Sequence, residues 1–252
     1  MNWREAGGLR LLEATLPGAR AAFTTRLGGV SEGDFASLNL GILTDDDQSA
    51  VLENRRRLAA ALGVEPGAVA IGRQVHRAEL AVHTGPQSPS PYAEPGHPIP
   101  EVDGHVTAEP GLATLVLVAD CLPVALAGPG GVAMLHCGWR GLAAGILAAG
   151  VEAVAATDAA IGPGIGRCCY EVGDEVLGAF AGLGEGVATG RMLDLPEVAL
   201  RLLGEAGVER VQTAGICTSC EEELFFSHRR DEGRTGRQAG VAWLEGDRGW
   251  PS

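Results

Sequence analysis

Residues 112–141 read LATLVLVADCLPVALAGPGGVAMLHCGWRG, and this stretch carries most of the evidence for the fold class. Leu112–Asp120 is apolar up to its last residue and partly β-branched, a pattern typical of a strand that is buried on both faces. A second apolar run, Val132–Leu135, predicts another such strand, and Gly141–Ala156 predicts a helix rich in alanine. Because a strand that is buried on both faces needs packed layers above and below it, the stretch predicts an α/β protein.

The rest of the chain continues this alternation of strands and helices. A helix is predicted over Gln48–Leu62, where apolar residues recur on one face. The other predicted elements are strands at Ala21–Thr25, Ala159–Ile161, Val211–Ile216 and Val241–Leu244, and a helix whose apolar stripe runs from Leu195 to Ala206. These elements interleave without a strict βαβ period, so we predict one α/β (α+β) domain over residues 1–252, with a mixed β-sheet surrounded by helices. Six of the 14 prolines fall in residues 84–100, which we interpret as a surface loop.

Composition and charge exclude several classes of protein. The chain has 252 residues, with 19 basic and 32 acidic side chains and a formal net charge of −13. This charge argues against a nucleic-acid partner held by a basic face. All the basic side chains are arginines, so a Schiff base on lysine is impossible. No stretch reaches the ~18 apolar residues of a membrane span. We therefore expect a cytoplasmic monomer with reduced cysteines and no membrane partner.

Three residues that can bind a transition metal follow apolar segments. Cys121 comes after the LATLVLVAD run, His136 after GVAML, and His76 shortly after AVAI. Two adjacent buried strands would bring Cys121 and His136 to one edge of a sheet, where α/β proteins place ligands. Two histidines and a cysteine leave a fourth position open, as in a catalytic zinc site that activates water. Alternatively, Cys121 is a small core residue, since the spacing matches no short zinc motif.

Arginines near glycines are candidates for binding an anionic substrate. Arg140 lies in CGWRG, at the predicted start of a helix whose free N–H groups favour an anion. Arg26 lies in FTTRLGGVS, and Arg230 and Arg237 lie in SHRRDEGRTGRQ. Such segments can hold a phosphate, although a solvated or ion-paired arginine gives the same pattern. Asp120, at the end of the apolar run, is a candidate proton shuttle or a structural carboxylate.

The remaining cysteines and histidines give weaker signals. Cys217 and Cys220 have the C-x-x-C spacing found in redox pairs and in zinc knuckles. The chain has no second C-x-x-C motif, so we interpret the pair as a structural turn or an adventitious redox pair. The adjacent Cys168 and Cys169 are interpreted as core or reactive thiols. His105 follows a turn, from which it either approaches the metal site or hydrogen-bonds the turn.

Several segments together resemble one known family. TTRLGGVS with SLNLG, QVH, DGHVT, ADCLPV, LHCGWRGLAAG, IGPGIGRCCYEVG, CTSC and FFSHRRDEGRTGRQ occur in this order from residue 24 to residue 238. This combination resembles the YfiH family, also called the multicopper polyphenol oxidase or laccase-domain family, which includes bacterial peptidoglycan editing factors. The resemblance covers nearly the whole chain. As a departure, Cys137 stands where the family usually has alanine, and we expect it to compete for a soft metal.

The resemblance implies a fold, a metal and a set of activities. The fold would be a single α/β domain similar to the catalytic domain of cytotoxic necrotizing factor. Zinc, or copper, would be held by His76, Cys121 and His136, while Arg26 and Asn39 would line the substrate pocket. Family members are credited with phosphorolysis of adenosine, inosine or methylthioadenosine and with deamination of adenosine. The partners implied are therefore a purine nucleoside and phosphate.

Other functions stay open on the residues alone. The same metal site could hydrolyse an amide, which would fit the editing of serine-containing cell-wall precursors. Without a metal, Cys121 and His136 could act as the pair of a Cys-His hydrolase, although such a pair needs no second imidazole. A copper polyphenol oxidase is disfavoured because multicopper sites use His-x-His ligands, which the chain lacks. A metal-dependent binding protein that uses the proline-rich loop is the non-enzymatic alternative.

Overall fold

A computed structural model describes residues 1–246, and this part of the chain contains fourteen strands and five helices. The strands are β1 (Asn2–Ala6), β2 (Leu9–Leu16), β3 (Ala19–Thr24), β4 (Val69–Ala70), β5 (Leu80–His83), β6 (Gly104–Thr107), β7 (Ala113–Val118), β8 (Leu122–Gly128), β9 (Gly131–Cys137), β10 (Asp158–Ile161), β11 (Ala188–Thr189), β12 (Met192–Leu193), β13 (Arg210–Thr213) and β14 (Gln238–Leu244). The helices are α1 (Gln48–Leu62), α2 (Trp139–Ala143), α3 (Ile146–Val154), α4 (Asp174–Ala179) and α5 (Leu195–Glu205).

Most of the strands form two six-stranded sheets. The first sheet has the order β1-β2-β3-β14-β7-β4, and the second has the order β13-β10-β8-β9-β6-β5. Both sheets are mixed, since β4 pairs with β7 and β5 pairs with β6 in parallel, whereas β14–β7 and β8–β9 are antiparallel. The predicted α/β class is confirmed. The prediction of one sheet is wrong, because an apolar run marks a buried strand without indicating which strand it pairs with.

The two sheets pack face to face, with helices on both outer sides. Along β14, Val241 packs with α1 and Ala242 packs between the sheets. Along β9, Met134 packs between the sheets and Leu135 packs against α3. Successive side chains of a strand point to opposite faces, and here both faces are covered. The central strands are apolar throughout for this reason.

The helices begin and end at residues with local signals. The predicted helix Gln48–Leu62 is confirmed as α1: the Asp47 side chain accepts a hydrogen bond from Ser49 N at 2.7 Å, and Gly63 ends the helix with φ 68°. The single helix predicted over Gly141–Ala156 is wrong, because Gly145 adopts φ 88° and separates α2 from α3. None of the helices within residues 1–246 is long and apolar enough to cross a membrane.

Two connections that cross from the first sheet to the second carry candidate metal ligands. The loop between β4 and β5 contains His76, and the turn between β7 and β8 contains Cys121. We predicted that the strand ending at Asp120 would lie beside the strand ending at His136. That prediction is wrong, because β7 belongs to the other sheet. Cys121 instead directly precedes β8, which is the antiparallel neighbour of β9. Pro123 of β8 pairs with His136 of β9.

The proline-rich segment, residues 84–100, contains no helix or strand, as predicted for a loop. It is not wholly exposed, since Tyr92 is buried and donates a hydrogen bond to Arg55 O at 2.7 Å. The buried Arg55 in turn donates to the carbonyls of Pro91 and Tyr92 at 3.1 and 3.0 Å. The loop is thereby fastened to α1.

Candidate metal centre and substrate pocket

Cys121 lies in a turn with an unusual backbone conformation. The preceding Asp120 has φ 88°, a left-handed conformation that non-glycine residues rarely adopt. Its side chain compensates through two hydrogen bonds, from Thr218 Oγ1 and from Arg229 N, both at 2.7 Å. Ile165 N also donates to Asp120 O at 2.8 Å. This turn connects β7 of the first sheet to β8 of the second, and Cys121 lies in the connection between the two sheets.

His76 lies in a second left-handed turn, which a single carboxylate holds. The φ angle of His76 is 62°. The side chain of Asp103 is fully buried and accepts hydrogen bonds from the backbone N–H groups of Val75, His76 and Arg77, at 3.1, 2.8 and 2.8 Å. Three N–H donors on one carboxylate fix the path of this loop and therefore the point from which the His76 side chain leaves the backbone.

The same carboxylate orients His136. Nδ1 of His136 donates to Asp103 Oδ1 at 2.8 Å, and His136 N donates to Asp103 O at 2.7 Å. This bond leaves Nε2 of His136 as the nitrogen available to a metal. A carboxylate behind a ligating histidine is the usual arrangement in zinc sites, where it fixes the ring and raises its basicity. Asp103 thus positions both histidines.

The ligand atoms of His76, Cys121 and His136 lie within 4.8 Å of one another. The two imidazole rings meet edge to face, with centroids 4.8 Å apart. In a tetrahedral zinc site with bonds of about 2.0–2.3 Å, ligand atoms are roughly 3.3–3.8 Å apart, so a small contraction around an ion suffices. Gly138 makes the approach possible: a Cβ there would lie 2.9 Å from Cys121 Sγ and 3.2 Å from His76 Cδ2. The donor set therefore fits zinc.

Charge within the group favours the ligating form of the cysteine. Burial acts to raise the pKa of Cys121, but His136 and His76 together outweigh it and lower this pKa to about 6. Burial likewise acts to lower the pKa of His136, but the Cys121 thiolate and the Asp103 carboxylate outweigh it and raise this pKa to about 9. Without a metal, the attraction between the two groups favours a thiolate on Cys121 paired with an imidazolium on His136. The thiolate is the form of cysteine that binds metals.

A cavity of about 500 Å³ opens in front of the three ligands. Its size lies within the usual range of small-molecule sites. Trp139 and Tyr170 provide aromatic walls, and Arg140, Arg229 and Arg237 provide cations. The Arg140 guanidinium lies over the Trp139 ring at 4.4 Å, and that of Arg229 lies 5.2 Å from the Tyr170 ring. The pocket can therefore accept a ligand with an aromatic part and an anionic part.

Two of the predicted site residues lie elsewhere. Arg26 and Arg230 line a separate depression together with Asp34 and Asp231. The guanidinium of Arg230 is paired with Asp231 at 2.7 Å, and that of Arg26 donates to the carbonyls of Ala36 and Glu222 at 2.7 and 3.1 Å. The structure does not bring either arginine to the wall of the metal pocket.

Two further predicted residues, Asn39 and Asp120, make structural hydrogen bonds at the pocket. Asn39 is fully buried and does not line the cavity. Its Oδ1 accepts from Arg237 N at 2.8 Å and from Gly41 N at 3.0 Å, and Arg237 and Gly41 do line the cavity. Asp120 borders the cavity, but each of its carboxylate oxygens already accepts a hydrogen bond. The geometry therefore fits the structural carboxylate rather than the proton shuttle.

Cys137 does not reach the metal ligands. It follows His136 in β9 and so points to the opposite face, where it packs in the core beside α2 and α3. Burial raises its pKa well above the ordinary value, so it stays a neutral thiol. The expectation that Cys137 competes for a soft metal is corrected on these grounds.

His105 belongs neither to the group of three ligands nor to the lining of the cavity. It is buried in β6, and its Nδ1 is 2.9 Å from Nε2 of His83. Burial lowers the pKa of His105 to about 3. The interpretation that His105 approaches the site is therefore wrong. Asp103, in the same DGHVT motif, is the residue that reaches it, and sequence reasoning did not select this carboxylate. The only signal for it was its place in a motif of the resemblance.

The chain is similar to known proteins over most of its length. The family model described as "Multi-copper polyphenol oxidoreductase laccase" matches residues 20–245. Purine nucleoside phosphorylase YlmD of Geobacillus stearothermophilus is 39% identical over 252 residues, which cover 92% of this chain and 92% of that protein. Purine nucleoside phosphorylase of Deinococcus radiodurans is 42% identical over 253 residues, which cover 95% and 94%. The crystal structure of the hypothetical protein YfiH of Bacillus licheniformis superposes with a TM-score of 0.87 at 33% identity, covering 96% of this chain and 98% of that chain.

Proposed function

Because this chain belongs to the multi-copper polyphenol oxidoreductase laccase family, also called the YfiH family, we propose that it is a zinc-dependent purine nucleoside phosphorylase. The reaction would convert a purine nucleoside and phosphate into the free purine base and ribose 1-phosphate. Adenosine, inosine and methylthioadenosine are the substrates proposed. The observation that carries the proposal is the combination of a three-ligand metal group with aromatic and arginine side chains around one cavity.

The metal ligands are held in place before an ion binds. Zinc, when bound, supplies a Lewis acid that stabilises negative charge developing on the substrate. Asp103 holds Nδ1 of His136 and the backbone of the His76 loop, so the His136 ring and the path of the His76 loop are ordered before the reaction. His76, Cys121 and His136 would hold the zinc, and as three protein ligands that line the cavity they would leave it open to water or substrate, as in catalytic rather than structural zinc sites.

The arginines of the cavity are suited to bind phosphate. Arg140 and Arg237 both line it, and Arg237 is anchored through Thr235 O at 2.8 Å and Gly236 O at 2.9 Å. Burial lowers the pKa of Arg237, but an arginine so far from neutrality stays charged. A local cation is needed because the net charge of −13 does not attract phosphate at long range.

The aromatic walls are suited to the purine. Trp139 and Tyr170 both line the cavity that the three candidate metal ligands also line. Stacking of a base on an aromatic side chain contributes about 1–3 kcal/mol. Because the aromatic and arginine side chains line one cavity, a base and a phosphate bound there would share the space in which the glycosidic bond must break.

A product assay tests the proposal. The purified protein would be loaded with zinc and incubated with adenosine, inosine and methylthioadenosine, each with and without phosphate. Mass spectrometry would measure free base and ribose 1-phosphate, and we expect both to appear only when phosphate is present. Cys121→Ala should abolish the products. Cys137→Ala is the matched control, because this thiol faces the core and should leave turnover intact.

Two outcomes would contradict the proposal. Inosine formed from adenosine without phosphate would identify deamination as the reaction of this site. Products that persist in Cys121→Ala would show that turnover does not depend on the metal ligands.

The phosphate subsite is tested separately. Arg140→Ala and Arg237→Ala should raise the KM for phosphate about tenfold or more, since hydrogen bonds to a charged group contribute about 1.5–3 kcal/mol. Arg234→Ala, an exposed arginine paired with Asp34, should not change it.

A further inference from the structure

Four cysteines outside the substrate pocket come together on one side of the molecule. The Sγ atoms of Cys168, Cys169, Cys217 and Cys220 lie within 4.8 Å of one another. Cys220 Sγ is 3.4 Å from Cys168 Sγ and 3.4 Å from Cys169 Sγ. These separations exceed the ~2.05 Å of a disulfide. They are close to the roughly 3.8 Å between sulfurs in a tetrahedral site with metal–sulfur bonds of about 2.3 Å.

The C-x-x-C motif of Cys217 and Cys220 is therefore completed by the adjacent Cys168 and Cys169 instead of by a second C-x-x-C motif. We discounted a zinc knuckle because the chain contains only one such pair. The fold supplies the other two sulfurs from the adjacent Cys168 and Cys169, and Cys168 lies 52 residues from Cys220. A tetrahedral arrangement of four thiolates is characteristic of zinc or of an iron–sulfur centre.

The backbone holds the two cysteine segments together independently of any ion. Gly164 and Cys217 form a parallel β-bridge, and Thr218 N donates to Gly164 O at 3.0 Å. Gly166 N donates to Cys217 Sγ at 3.3 Å, an N–H···S contact that favours negative charge on the sulfur. A Cβ at Gly166 would lie 3.3 Å from Cys217 Cβ and 3.4 Å from Cys168 Sγ, so glycine permits this approach. The sulfurs are thus preorganised.

Solvent can reach the sulfurs. Cys168 and Cys220 are exposed, whereas Cys169 and Cys217 are half-buried. An ion therefore has a path of entry, which a metal site requires. Four thiolates gathered without a cation would repel one another, since like charges at this distance are unfavourable. A divalent cation removes that repulsion.

We propose that Cys168, Cys169, Cys217 and Cys220 form a second metal site, a structural zinc site that is separate from the substrate pocket. All four positions are filled by the protein, as in structural rather than catalytic zinc sites. The ion joins two segments that border the cavity. One segment carries Ile165 and Tyr170, which line the cavity, and Thr218 in the other donates a hydrogen bond at 2.7 Å to Asp120, which also lines it. Bound zinc thereby fixes one wall of the pocket.

Metal content per chain tests this proposal without any activity measurement. The intact protein, expressed with zinc and freed of loosely bound ions, should contain close to two zinc ions per chain. Cys121→Ala should retain one, and Cys220→Ser should also retain one. Cys121→Ala combined with Cys220→Ser should retain none. Ser219→Ala lies in the same turn without offering a ligand, and it should retain both ions.

The absorption spectrum of cobalt-substituted Cys121→Ala protein identifies the type and number of ligands at the second site. We expect one bound Co²⁺ with intense thiolate charge-transfer bands and the visible spectrum of a tetrahedral site. Cys220 is exposed, so its replacement by serine should not prevent folding, and circular dichroism would verify this.

Three results would overturn the second site. The first is a Cys121→Ala protein that binds no metal. The second is a Cys220→Ser protein that still holds two zinc ions. The third is a protein that, isolated with zinc present and never exposed to chelator, contains a disulfide among these cysteines in its non-reduced mass, which would identify a redox pair instead. None of these results depends on purine turnover, so failure of the proposed function and failure of the second site are distinguishable.

Discussion

Replacement of Asp103 by asparagine is the sharpest test of how the metal centre is organised. Oδ1 of Asp103 accepts from His76 N and His136 Nδ1, both at 2.8 Å, and Oδ2 accepts from Val75 N at 3.1 Å and Arg77 N at 2.8 Å. Each carboxylate oxygen thus receives two donors. An asparagine has one acceptor oxygen and one NH2 group, so in either orientation two N–H groups would face another donor.

The expected magnitude follows from those bonds. Hydrogen bonds to a charged group contribute about 1.5–3 kcal/mol each, so losing two would cost roughly 3–6 kcal/mol in the metal-free protein. Loss of the carboxylate behind a ligating histidine typically weakens metal affinity about 10- to 100-fold. That range corresponds to about 1.4–2.8 kcal/mol. We therefore expect Asp103→Asn to fold less stably and to bind zinc at least tenfold more weakly.

Zinc affinity would be measured by competition with a chromogenic chelator, in the Cys220→Ser background so that only the His76–Cys121–His136 site is read. Asp158→Asn is the matched control. Asp158 is buried and accepts two hydrogen bonds from Arg210 at 2.7 and 2.6 Å, but it pairs with Ala127 at the far end of β8. It should lose stability and keep its zinc affinity. An Asp103→Asn protein whose zinc Kd stays within twofold of the parent would refute the positioning role of this carboxylate.

Three further outcomes are expected. In chelator-treated protein, iodoacetamide should alkylate Cys121 increasingly as the pH rises through about 6, because His136 and His76 lower the pKa of this thiol. Peptide mass spectrometry would follow the reaction. In His136→Gln, the pH at which alkylation is half-maximal should be higher. Gly138→Ala should cost about 1–3 kcal/mol and weaken zinc binding, because its Cβ would press on Cys121 Sγ at 2.9 Å; Gly67→Ala, with open space around it, should change neither quantity. In the Cys220→Ser protein, which keeps only the His76–Cys121–His136 site, chelation should lower the free energy of unfolding by about 2.7 kcal/mol relative to protein at a free zinc concentration of 100 Kd. Urea denaturation would measure this, and equal stability in both conditions would contradict zinc binding to the folded state.

Two of the metal ligands could be predicted from the sequence alone. Cys121 and His136 were predicted because each follows an apolar run. Such a run indicates a strand that is buried on both faces, because the side chains on both faces must then be apolar. Helix α1 was equally readable, since Asp47 and Gly63 are local start and stop signals. The roles assigned to Arg26 and Asn39 rested on the resemblance. The structure places Arg26 on another depression and Asn39 behind the pocket wall.

What the residues determined by themselves is the set of features with short-range causes: apolar period, helix caps, the types of the candidate ligands, and the motifs that indicate the family. Only the tertiary structure decided which distant segments meet. The left-handed turn at Asp120 carries the chain between two sheets, so Cys121 joins β8 rather than the neighbour first expected. Asp103 acts on backbone N–H groups 26 to 28 residues away, and Cys168 meets Cys220 across 52 residues. Such contacts depend on strand pairing and sheet packing over the whole chain, and no local pattern of side chains encodes them.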